Sequence, residues 1–178
     1  MIRNGSRRYG LGAVAFGLAG FAIYMVMINV TLTKIEAVSR HTPFDMRPFG
    51  YGPQEATQLL DALGAKRRRY YLTRQIPLDT IYPTLLAATL ISAICWLRLR
   101  LPHNKFMRAG IWCSVGTAFF DYVENLGVIS MVLTWPDLPE FLVYASSSAS
   151  IAKSGIAVVA VSSTFLFGAV WPWRSKFA

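Results

Sequence analysis

Four apolar runs, residues 10–32, 77–97, 110–135 and 141–171, each have the length to cross a hydrocarbon layer of roughly 30 Å, which takes about 20 helical residues. Inside lipid every backbone polar group must find its partner within the protein, so runs of this length are read as helices. The chain is therefore expected to be an all-α, polytopic membrane protein. It forms a single domain over residues 1–178, a four-transmembrane-helix bundle with a short helical extramembrane loop, 33–76, between the first and second helices. A hydrophobic content of 54% in 178 residues agrees with this, being too high for an ordinary soluble domain.

The ionisable residues set the orientation. Arg3, Arg7 and Arg8 at the N-terminus, Arg98, Arg100, Lys105 and Arg108 between the second and third runs, and Arg174 and Lys176 at the C-terminus make nine basic residues with no acid among them. Four crossings put these three pieces on one face. Loop 33–76 and the turn around Trp135 to Glu140 share the other face, with eight basic and six acidic residues. By the positive-inside rule both termini are cytoplasmic, and a bacterial inner membrane is the expected location. The run Lys66 to Arg69, with Arg74, opposes this assignment, but long loops translocate largely regardless of charge. The net charge of +9 is read as topology and headgroup contact rather than nucleic-acid binding, because no basic face on a soluble module is visible. Ser6-Arg7-Arg8 partly resembles a twin-arginine signal, yet Leu11 to Leu32 exceeds the usual 7–15-residue signal core, so the segment is read as the first span.

Charged residues written into these apolar runs are the functional candidates. A charge at the bilayer centre costs at least ~2.5 kcal/mol, so such residues face a bundle interior, pair, or line a cavity. Asp121, Glu124 and Asn125 interrupt the third run and Lys153 the fourth. Ser114, Thr117, Asp121 and Glu124 or Asn125 recur every three or four residues and share one helix stripe; Ser146, Ser147, Ser150, Lys153 and Ser154 make a second. The short turn Pro136 to Glu140 makes the two helices an antiparallel hairpin. At 1.5 Å per residue, Lys153 lies about 12 residues below the outer end of its helix and Glu124 about 11 below the outer end of its own. They are predicted to meet, with Asp121 one turn deeper. One lysine cannot neutralise two carboxylates, so one of them is expected to carry a proton.

Asp79 sits in the first turn of the second span, where an acid offsets the helix dipole and Arg74 or Arg69 are its expected partners. A role at a cavity mouth is the other reading, with Tyr82 on the same face at i+3. The candidate ligand-binding set is Asp79, Tyr82, Asp121, Glu124, Asn125, Ser150 and Lys153; Asp121, Glu124 and Lys153 are the catalytic candidates. Glu124, nearer the outer face, is the carboxylate expected to be easier for a ligand to reach. A Ser–Lys dyad through Ser150 or Ser154 is disfavoured, because serine in such helices commonly bonds its own backbone. His41 and His103 fall on opposite faces, no metal or cofactor motif occurs, and Cys95 and Cys113 are expected to be free thiols on a reducing side.

The rest of the chain is read for packing. Ala13 with Gly17, and Ala15 with Ala19, are small pairs at four-residue spacing that let helices approach closely. Residues 42–52 are broken by proline and glycine. Pro53 opens a short amphipathic helix with Ala56, Leu59, Leu60 and Leu63 on one face and Gly64 at its end, expected on the outer surface. Lys66 to Tyr71 is expected at the interface, Pro77 to open the second span and Pro83 to bend it. Two strings, Phe44 to Tyr51 and Phe120 to Asn125, have the density of a signature without an assigned activity. The expected function is non-enzymatic binding of a lipid-like or amphiphilic molecule, or of a partner membrane subunit, in a polar pocket between the second, third and fourth spans. The alternatives are an intramembrane acid/base enzyme acting on a lipidic substrate and a small proton- or ion-coupled carrier. Membrane lipids, a lipidic small molecule, and a second copy or larger membrane complex are the expected partners.

Overall fold

A computed structural model describes residues 2–101 and 105–174; His103 and Lys176 lie outside them. Among the described residues the chain is helical, without strands: α1 (Ile2–Val26), a π turn (Met27–Thr31), α2 (Leu32–Ser39), a 3-10 turn (Phe44–Met46), α3 (Pro53–Tyr70), a second π turn (Tyr71–Gln75), α4 (Ile76–Arg98), α5 (Lys105–Thr134) and α6 (Glu140–Arg174). Three stretches are long and apolar enough to cross a membrane: Gly5–Ser39, Pro53–Arg98 and Glu140–Val170. The 30 residues of α5 have the length as well, but its own polar stripe lowers its hydropathy.

The helices pack in the order α1, α4, α5, α6, with α5 and α6 sharing the most extensive contact. The α5–α6 hairpin closes tightly because Gly127 lies against Ser146, where a Cβ would come within 2.5 Å of the serine side chain. On α1 the close-packed stripe runs through Gly10, Gly17 and Gly20 against Trp96, Thr89 and Leu85 of α4. Of the two small pairs predicted from sequence, only the one holding Gly17 serves this contact; Ala15 and Ala19 are exposed. Large apolar residues cover the outer faces instead, with Leu18 and Phe21 of α1, Leu126 and Leu133 of α5, and Val158 and Phe165 of α6 all exposed.

Helix boundaries differ from the sequence reading in two places. The first helix does not end near residue 32; it continues through its π turn to Ser39 and stops where Arg40 turns left-handed (φ 57°). Pro77 stands in the first turn of α4 as expected, but the chain before it is already helical. Gly64 (φ 61°) ends the amphipathic turns of α3, and helix resumes at once. The Tyr71–Gln75 π turn carries it into α4, with Ile76 donating its N–H to the Tyr71 carbonyl. Such a turn shifts the hydrogen-bond register just before a residue that has no N–H to give. The two π turns meet where Thr31 donates to the Gln75 side chain, both buried.

The amphipathic helix is less peripheral than expected. Ala56, Leu59, Leu60 and Leu63 are buried in one cluster with Phe44, Tyr51, Tyr71, Val128, Met131 and Val143. Residues 40–63 thus dock onto one end of the bundle as a packed cap. Tyr71, expected at an interface, is fully buried there.

Candidate functional site

The hairpin register brings the predicted charges together. Lys153 Nζ lies 3.4 Å from Asp121 Oδ1 and makes direct contact with the Glu124 carboxylate. All three are largely removed from solvent, with Glu124 1% exposed and Asp121 4%. Ser150 donates to the Ser146 carbonyl of its own helix at 3.2 Å, the backbone bond that weighs against a Ser–Lys dyad.

Beside this cluster is a cavity of about 340 Å³. Its polar side is made by Asp79, Thr117, Asp121, Lys153 and Ser154, with Asp45 of the cap above them. Its apolar side is made by Met27, Ile28, Leu32, Leu86 and Ala157, and by Tyr24 and Tyr82, whose rings stack with centroids 5.6 Å apart. The sequence places a pocket between α4, α5 and α6; the helix running from α1 to α2 supplies a further wall, and Met46 and Pro48 of the cap also line it.

Asp79 does not have the predicted arginine partner. It is 3% exposed, forms no ion pair among the described residues, and its Oδ2 makes no hydrogen bond. The cavity reading of this residue therefore accounts for its position better than helix-dipole compensation, which needs no burial. Its backbone has a separate task. Pro83 has no N–H for the carbonyl four residues back, which is that of Asp79, and Asn125 donates its side-chain amide to this oxygen at 3.0 Å. Tyr122 donates to the neighbouring Thr80 carbonyl at 3.0 Å and also contacts the Thr84 hydroxyl. Side chains from a neighbouring helix commonly repair proline breaks in this way.

The cap is anchored over the cavity by specific bonds. Tyr71 donates its hydroxyl to Asp45. Tyr51 donates its backbone N–H to Ser147 Oγ at 2.8 Å and its hydroxyl to Ser146 Oγ at 2.8 Å. Burial pushes the Tyr51 phenol above its ordinary range, so it serves as a neutral donor. Gly50 (φ 82°) lets the chain pass close to α6, since a Cβ there would stand 2.5 Å from Ser147 Oγ. Arg47 bonds Glu55 at 2.8 Å and the Thr42 carbonyl at 2.9 Å, tying the cap to the start of α3.

Of the predicted set, Asp79, Tyr82, Asp121 and Lys153 line the cavity, whereas Glu124, Asn125 and Ser150 lie behind its wall. Asp121, rather than Glu124, is the α5 carboxylate that meets the space. Sequence reasoning missed Asp45, Tyr24 and Thr117 as lining residues. The available signal for Asp45 was the dense string Phe44 to Tyr51, now seen to be the cap. The chain matches no family model, no curated protein and no solved structure.

Proposed function

We propose that the chain is an integral membrane protein with four transmembrane helices that holds a lipid-like amphiphilic molecule in the capped cavity. Its supports are the inverted polarity of α5, with Ser114, Thr117, Asp121, Glu124 and Asn125 buried while Phe119, Leu126 and Leu133 face outward. An outward apolar surface of that extent suits lipid rather than water. The observation that carries the ligand reading is the two-sided lining of the cavity, charged at one end and apolar with stacked tyrosines at the other. Its size falls within the usual range of ligand pockets, roughly 300–1,000 Å³.

Native mass spectrometry of protein extracted in mild detergent tests this. Wild-type protein is expected to carry a bound lipid-like mass. Ala157→Trp, which fills the apolar half, is expected to lose it while remaining folded, and Leu86→Trp offers a second filling from another wall. Wild-type protein free of any bound molecule at high occupancy of the folded state would overturn the reading.

Orientation follows from the positive-inside rule, which places both termini in the cytoplasm and the cap outside. Alkaline phosphatase joined after Phe49 is then expected to be active in a bacterial host, and joined after Ala178 inactive. The reverse pattern would turn the molecule over and put the cap in the cytoplasm.

A further inference from the structure

Carboxyl groups outnumber cations around the cavity. Asp45, Asp79 and Asp121 line it, and Lys153 is the sole basic residue among the lining side chains. That lysine is also claimed by Glu124, which it touches directly. The Asp79 carboxyl lies beside that of Asp45 and shares a hydrogen bond with it, while its Oδ2 is buried without a partner. A buried carboxyl in this state either holds a proton or takes a positive partner, and among the described residues no basic side chain forms an ion pair with Asp79. The stacked Tyr24 and Tyr82 rings bound the same space, and aromatic rings attract cations.

We infer that the occupant is a cationic amphiphile, an alkylammonium whose charged nitrogen sits among Asp45, Asp79 and Asp121 and whose hydrocarbon lies along Met27, Leu32 and Leu86. Bound this way, the ammonium faces the carboxyl groups of Asp79, Asp45 and Asp121 and offsets the negative charge that Lys153 leaves. The inference rests on the reading of the cavity as a ligand site. It adds the sign of the ligand's charge and the residues that select it.

Octylamine, 1-octanol and octanoate share a chain and differ in charge at neutral pH, where the amine is protonated. Their binding to the full chain in neutral maltoside micelles can be followed by calorimetry, with Ala157→Trp protein as the reference for partition into the micelle. Octylammonium is expected to bind at least about tenfold more tightly than octanol, since one close charge pair in a partly buried site exceeds that factor. Octanoate is expected not to bind. Asp79→Asn should bring octylammonium to the level of octanol; Asp45→Asn provides the same comparison if the first variant fails to fold. Equal affinity of octanol and octylammonium for wild type would overturn the cationic inference while leaving an amphiphile site standing. Failure of all three probes, together with wild-type protein that carries no bound mass, would remove the site itself.

Discussion

Lys153→Met is expected to cost the folded bundle about 3–5 kcal/mol, the penalty of leaving a buried charge without its partner. The contacts specify more than the size of the effect. Lys153 touches Glu124 directly and stands 3.4 Å from Asp121, so removing the lysine strands two carboxylates at once. Combining Lys153→Met with Glu124→Gln should recover more stability than combining it with Asp121→Asn, because the closer pair couples more strongly. The triple replacement should come nearest to wild type, since exchanging all members of a buried ionic group for neutral residues is often nearly neutral. Thermal melts in detergent supply the cycle. Strict additivity in both double variants would mean that neither carboxylate is held by Lys153.

The second large effect concerns a bond that no charge marks. Asn125→Leu is expected to cost about 1–3 kcal/mol, because it leaves the Asp79 carbonyl buried and unsatisfied at the break created by Pro83. In a Pro83→Ala background residue 83 regains its N–H and can bond that carbonyl within the helix. The same Asn125→Leu change should then cost less by about 1 kcal/mol, the net value of an ordinary hydrogen bond. Reversible unfolding in detergent measures both legs. Equal costs in the two backgrounds would show that Asn125 stabilises the fold by some route other than the proline break.

These two cases also show where the sequence is legible. The meeting of Lys153 with Asp121 and Glu124 could be foreseen because helical rise is constant and the turn between the helices is short, so counting residues measures depth. Asn125 is legible as a polar residue in an apolar run, and the need for a donor is legible too, since a proline inside a helix frees the carbonyl four residues back. That rule says a donor is needed without saying which neighbouring helix brings it. The wall supplied by α1 was harder to foresee. Tyr24 and Met27 sit in an apolar run without ionisable neighbours, and nothing in such a run distinguishes a cavity face from a lipid face. Asp45 was hidden for a different reason. Its position depends on the irregular path of residues 40–52, which follows from tertiary bonds such as Tyr71 to Asp45 and Tyr51 to the α6 serines rather than from any local period.

On the proposed four-span topology, the polar stripe of α5 bears on how the chain would enter a bilayer. Asp121 and Glu124 sit in the helix that is least able to partition alone, with an apparent insertion cost of about 2.5–3.5 kcal/mol for an acid at its centre. The compensating cation arrives 29 residues after Glu124, on the far side of a turn of a few residues. During synthesis α5 therefore lacks its counter-charge until the first 14 of the 35 residues of α6 have been made. On that four-span topology the α5–α6 hairpin is expected to partition as one unit. Truncation between Pro136 and Lys153 is then expected to yield a segment that fails to insert, read as loss of membrane-fraction protein.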